Sequence, residues 1–421
     1  MAKQLYSIVC SLVFSFAFQA YEAAGQNWPQ WRGPGSTGST ETGSYPTTWS
    51  EHDGLNWTYE LPGRGFSTPI VWGEHIIVTA PIESKDGVLD MDFSGKVRWQ
   101  TALTPEKSGK HRNASGCNPS PVTDGDSIFA YFKSGTLAVL DFDGEVRWKT
   151  NLQKIFGEDR LYWDVGTSPV LTSDYVVGMV LHGGKSGLVA FHKKTGEIAW
   201  QVDRPYDCPN ENWDSYTTPL VVEYEGQEII VAFGADHVTA HRVSDGEFLW
   251  SCNGFNPEKT PNWPAVASPV IADDILVVTY GRGKYVAGIR LGGKGDITST
   301  HRLWTREEIG AFVPTPAVHD KKVYLLRDRG EITCIDSASG ETLWAGALPK
   351  HRSSYYSSPT IAGGKLYAAR EDGVVFVARI TGELKVVSEN PMGEKMIASP
   401  VPVADQLLLR GEHRLFLVGS N

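Results

Sequence analysis

An eight-bladed β-propeller, all-β, with four-stranded antiparallel blades closed by an N-terminal strand, is the fold this sequence predicts. Three observations predict it. A Ser-Pro or Thr-Pro pair opens a short apolar run eight times, at Thr68-Pro69, Ser120-Pro121, Ser168-Pro169, Thr218-Pro219, Ser268-Pro269, Thr315-Pro316, Ser358-Pro359 and Ser399-Pro400. Successive prolines lie 52, 48, 50, 50, 47, 43 and 41 residues apart, a period typical of repeats whose units bury their apolar faces on one another. A Gly followed four residues later by Trp closes five units, at Gly95/Trp99, Gly144/Trp148, Gly196/Trp200, Gly246/Trp250 and Gly340/Trp344.

The sixth unit shows the pattern of one blade. Pro316-Ala317-Val318 starts an inner strand, His319-Asp320-Lys321-Lys322 turns, and Val323-Tyr324-Leu325-Leu326 is a second strand. Arg327-Asp328-Arg329-Gly330 turns again before a third strand over 331–336, and Ser339-Gly340 leads into Glu341-Thr342-Leu343-Trp344. Short strands with turn signals every 8–12 residues read as an antiparallel meander. The Gly supplies the positive φ of a tight hairpin, and the Trp ring is large enough to fill the space between neighbouring sheets.

Two units depart from the pattern and one is incomplete. The fifth stretches the interval between Gly293 and Trp304, and the seventh has Gly382 but Val386-Val387 where Trp is expected. The eighth reaches Asn421 after three strands, so its fourth is expected from Leu55-Asn56-Trp57-Thr58-Tyr59, a closure that removes a free sheet edge. The ring-docking set is then Trp57, Trp99, Trp148, Trp200, Trp250, Trp304 and Trp344. Residues 1–25 read as a signal peptide, 26–52 as an N-terminal extension, and 53–421 as the propeller.

The signal reading rests on Lys3, an apolar stretch over 8–20 too short to span a bilayer, and the small residues Ala23-Ala24-Gly25. It implies an exported protein, periplasmic or extracellular, without a transmembrane span. The formal net charge of −10 speaks against nucleic acid and anionic membrane surfaces as main partners. Cys117, Cys208, Cys252 and Cys334 show no framework spacing, and their pairing stays open.

The stretch from the third strand to the Trp, as in Thr333-Cys334-Ile335-Asp336-Ser337-Ala338-Ser339-Gly340-Glu341-Thr342-Leu343-Trp344, resembles the tryptophan-docking motif of PQQ-like, quinoprotein-type repeats. The resemblance covers nearly the whole chain after the signal. Two groups share the motif: the quinoprotein dehydrogenases, and the cofactor-free propeller subunit of the outer-membrane β-barrel assembly machinery with its secreted relatives. Asn27-Trp28-Pro29-Gln30-Trp31-Arg32-Gly33-Pro34 looks like the opening of propellers exported by planctomycete-type bacteria. A quinoprotein would imply PQQ with calcium, a vicinal Cys pair and a Glu, Asn and Asp ligand set. No adjacent cysteines occur here, so no cofactor is expected outside that alternative, and no metal ligand is assigned. The resemblance thus implies a binding or scaffolding module of the cell envelope, whose partner is an envelope protein or a polar small molecule or glycan. The alternative is an oxidoreductase acting on an alcohol or sugar.

Inter-blade loops and the turns between second and third strands should share one face and surround a funnel. Trp163, Trp213 and Trp263 recur 50 residues apart, the first two followed by Asp164 and Asp214. The rings can form a ledge for a flat ligand whose hydroxyls the carboxylates bind; the plainer reading has each ring covering a blade and each Asp capping its own turn. A repeat-locked position favours the plainer reading. Arg282, Arg327, Asp328, His351 and Arg352 add a mixed-charge rim suited to a polar or anionic partner. Gly183-Gly184-Lys185-Ser186 lacks the first Gly of a phosphate loop, since position 179 is Met, and no HExxH or GxSxG motif occurs. No catalytic residue is therefore assigned.

Overall fold

The computed structural model describes residues 27–41 and 43–419, so the signal-peptide reading lies outside the described residues. Eight sheets of at least four strands each follow one another along the chain. In the sixth, Ala317–His319, Lys322–Leu326, Glu331–Asp336 and Thr342–Ala347 pair in order, all antiparallel. Its second and third strands are buried almost throughout, whereas the outer strand alternates exposed and half-buried residues. Middle strands covered by neighbouring blades on both faces need continuous apolar runs, and an outer strand half in water needs a period of two. The eighth sheet is Val401–Val403, Gln406–Arg410 and Arg414–Val418, completed by Leu55–Glu60 antiparallel to the last of these.

The Ser/Thr openers tie seven of the eight inner-strand junctions around the axis; at the junction of seventh and eighth blades Ser357 Oγ donates to Ala398 O at 2.9 Å and Thr360 Oγ1 to Pro400 O at 2.8 Å instead. The backbone N–H of Thr68 donates to Ser120 Oγ at 2.9 Å, and the same step repeats from Ser120 to Ser168, Ser168 to Thr218, Thr218 to Ser268, Ser268 to Thr315 and Thr315 to Ser358, at 2.8–3.1 Å. Ser399 N–H then donates to Thr68 Oγ1 at 3.1 Å. A hydroxyl is required because each buried N–H needs an acceptor at the axis, and the following Pro brings no donor of its own.

Each outer strand carries a β-bulge one residue before the ring position, in all eight blades. The extra residue bends the strand and re-aims the next side chain. The indole N–H of Trp57 donates to Phe93 O at 2.8 Å, Trp99 to Phe142 O at 2.8 Å, Trp148 to Lys193 O at 2.7 Å, Trp200 to Val243 O at 2.7 Å and Trp304 to Ser337 O at 3.0 Å. Each ring thus reaches the hairpin of the following blade. Gly144 shows why Gly stands there: its φ is +85°, and a Cβ would lie 2.6 Å from the Trp99 ring. Trp250 differs. The insertion after Gly293 forms Gly295–Asp296, which adds a fifth, parallel strand beside Trp250 and Ser251. Trp344 packs with Ile380 and Leu384 of the seventh blade.

The seventh blade corrects the expected position. Its hairpin is longer, and the residue paired as Trp344 is paired in the sixth blade is Ser388, not Val386 or Val387. Ser388 Oγ donates to Thr47 O, and Trp49, from the N-terminal extension, is buried with its indole N–H on Met392 Sδ at 3.1 Å and its backbone N–H on Asn390 Oδ1 at 2.9 Å. The extension fills the seam between seventh and eighth blades with Tyr45 and Trp49. The eighth blade offers no hairpin after Arg414–Val418 for a Trp to reach, because its outer strand is Leu55–Glu60.

Residues 27–40 close the channel. The segment pairs with Val71 through Trp28, accepts from Thr123 through Pro29, crosses to accept from Val318 and Ile361 through Thr37 and Gly38, and ends as Ser39–Thr40 parallel to Thr360–Ala362. It spans from the first and second blades to the sixth and seventh. Trp31 lies at the axis, its indole N–H on Ser399 Oγ at 3.3 Å.

Candidate functional site: the central funnel

On the face where the inter-blade loops enter the inner strands, a cavity of about 500 Å³ is lined by residues of all eight repeats, with Trp31 from the extension. Thr68, Ser120, Ser168, Ser358 and Ser399 of the hydroxyl circle form its base. Its wall carries Phe66, His111, Trp163, Tyr216, Phe312 and Tyr356 beside Asp164, Arg282 and Asp328. Rings and a few polar groups thus share one concave wall.

Four of the sequence-proposed residues line this cavity: Trp163, Asp164, Arg282 and Asp328. Trp163 is 39% exposed, stands edge-on to His111 with ring centroids 4.5 Å apart, and adjoins Tyr162, which is 66% exposed. Its backbone N–H donates to Tyr216 Oη at 3.1 Å, which fixes the loop. The Arg282 guanidinium lies 4.3 Å from the Phe312 ring centroid and donates to Asn262 O at 3.1 Å. Asp328 accepts from Val313 N–H at 3.3 Å; burial raises its pKa against the pull of that bond and of the nearby arginines.

The rest stand elsewhere. Trp213 packs against the Gly183 turn, where a Cβ would meet its Nε1 at 2.5 Å, and Trp263 packs against Tyr285, so the three 50-residue Trp positions do not form one ledge. Arg327 donates to Glu308 O, His351 pairs with Asp372 at 3.3 Å, and Arg352 O accepts from Arg329. The acidic neighbours of the Trp positions are structural, though not by capping their own turns. Asp164 is buried, holds the N–H of Lys110 at 2.6 Å and of His111 at 3.3 Å, and pairs with buried Lys133. Asp214, also buried, accepts from the backbone of Tyr162 and Gly183, and burial raises its pKa to about 7. Each carboxylate therefore fastens the preceding inter-blade loop, a contact between units that reading one unit at a time does not show. Trp31 was missed because nothing in a linear pattern places an N-terminal segment on the axis.

A family model described as "Outer membrane protein assembly factor BamB" matches residues 47–177 and 94–346. The chain belongs to this family of PQQ-like propeller repeats. It is 24% identical over 333 residues to the outer membrane protein assembly factor BamB of Yersinia pestis, covering 76% of each chain. Among solved structures, BamB from Moraxella catarrhalis superposes with a TM-score of 0.63 at 16% identity, over 86% of this chain and 98% of that one. A europium-containing methanol dehydrogenase superposes with a TM-score of 0.70 at 13% identity, over 93% of this chain and 91% of that one. Both likenesses concern the fold.

Asp164 is engaged by Lys133 and two N–H groups, and among the described residues no three His, Cys, Asp or Glu gather as metal ligands. Cys117, Cys208, Cys252 and Cys334 are free thiols, and all but Cys208 are buried. No helix among the described residues is long and apolar enough to cross a membrane.

Proposed function

We propose that the protein is an exported binding module of the cell envelope, and that its funnel receives a polar segment of an envelope protein. One observation carries the reading: a cavity of about 500 Å³ built from every repeat, with exposed Tyr162 and Trp163 beside it. Rings that stay exposed on a rigid rim offer contact area at low entropic cost, and Arg282 on Phe312 presents a fixed cation. The family of assembly factors to which the chain belongs supports an envelope role. A second reading, a quinone-dependent oxidoreductase, is favoured only by the fold of the methanol dehydrogenase.

Photo-crosslinking from position 163 of the full chain in cells tests the reading. A discrete protein adduct from 163, absent when the crosslinker replaces exposed Ile198 on an outer strand, is the expected result. Equal adducts from both positions would overturn it. So would turnover of an alcohol or sugar by the purified protein with PQQ, calcium and an artificial electron acceptor.

A further inference from the structure

The segment that closes the channel carries a buried cation without a counter-ion. Arg32 is 4% exposed, and its Nη2 donates to Pro316 O at 3.1 Å and Pro359 O at 2.8 Å. Its Nε and Nη1 are buried with no hydrogen-bond partner, and no described carboxylate pairs with it. Room for the guanidinium is deliberate: Gly38, at φ +68°, carries no Cβ that would otherwise lie 1.9 Å from Nη2. Two other buried arginines, Arg204 and Arg410, also leave guanidinium nitrogens without a partner, but Arg204 donates to Thr239 Oγ1 and His237 O and Arg410 to Ser67; burial lowers the pKa of Arg32 to about 9.

Arg32 lines a narrow cavity of about 20 Å³ next to the funnel, where Gln30, Ser168, Thr218, Ser268 and Thr315 stand among the opener prolines, Val170 and Leu220. That space suits one water-sized occupant. The opener hydroxyls there accept from backbone N–H groups, so their own O–H protons remain to be given. A guanidinium with free donors and several O–H donors thus border one small void, and the Gln30 amide oxygen is the only side-chain carbonyl among the polar residues named around it. Water would satisfy some of them and leave the buried charge uncompensated, which is the costly part.

We propose that the closed end of the channel binds a small inorganic anion, of chloride size, held by Arg32 and the opener hydroxyls. The anion clamps the N-terminal segment to the inner strands of the third to sixth blades. Its presence makes the seat of that segment dependent on halide.

The test uses the full chain in chloride-free buffer, with chloride exchanged for isethionate at constant ionic strength. The melting temperature of the wild type should rise by roughly 2–4 °C once chloride reaches a hundredfold excess over its dissociation constant. Arg32→Met should lose that rise while keeping its response to ionic strength. An equal rise in both proteins overturns the proposal. Crystals grown in bromide give a second readout that does not require the variant to fold. An anomalous peak against the Arg32 guanidinium supports the site, and a void holding only water overturns it.

Discussion

Ser399 N–H donates to Thr68 Oγ1 at 3.1 Å, joining the last opener to the first across 331 residues. Both residues are buried. The eighth blade is therefore joined to the first twice, at the axis by this bond and at the rim by Leu55–Glu60 on Arg414–Val418. The inner closure explains why the opener is Ser or Thr rather than any small residue.

Thr68→Val keeps the shape and removes the acceptor, leaving the Ser399 N–H unpaired in the core. Urea unfolding should show a loss of about 1–3 kcal/mol. Thr68→Ser, which keeps the hydroxyl, should recover most of it.

Trp57→Phe keeps a ring at the seam between eighth and first blades but loses the donor to Phe93 O. A cost of about 1 kcal/mol is expected. Amide exchange over 55–60 and 414–418 should quicken in this variant and more so in Trp57→Ala; unchanged exchange in both would show that the indole does not hold the seam.

Ser388→Trp restores, by register, the ring that the other repeats carry. Here it should destabilise by about 1–3 kcal/mol, because Thr47 and Trp49 already occupy the seat. A stabilised variant would contradict the proposed filling of that seam by the extension.

Asp214 has a folded pKa of about 7 against an ordinary 3.8, raised by burial. The folded state thus holds a proton that the unfolded chain releases, so this contribution is fully present below about pH 4 and is lost as pH rises through about 7. Asp214→Asn removes the slope. Wild-type stability relative to that variant should fall between pH 5 and 8, by on the order of 2–4 kcal/mol, in denaturant titrations at fixed ionic strength.

Asp164→Asn should cost about 3–5 kcal/mol, because it leaves buried Lys133 without its partner. Trp163→Ala, at an exposed site, should stay within about 1 kcal/mol of the wild type. Melting curves of the two decide whether position 163 is a probe of binding free of folding effects.

Much of this molecule was legible in its sequence. The eight openers, the Gly-to-Trp interval and the unfinished eighth repeat gave the blade number and the strand supplied by residues around Trp57, because each is a local demand: a turn, a positive φ, an alternating edge. The funnel's membership was read less well. Trp163 and Trp213 are equivalent by spacing, yet one faces the cavity and the other covers the Gly183 turn. Side chains at equal phase diverge when their inter-blade loops differ, and no period records that.

By itself, then, the sequence determined the repeat, its hydroxyl opener and the outer strand that completes the ring. Only the tertiary structure decided that residues 27–40 cross the axis, that Trp31 floors the funnel, that Ser388 stands where a Trp would, and that Asp164 and Asp214 fasten the preceding loops. The physical reason is range. A repeat is set by contacts within a unit and with its neighbour, whereas the closing segment makes its hydrogen bonds to carbonyls about 284 and 327 residues away, where nothing in a local pattern announces the partner.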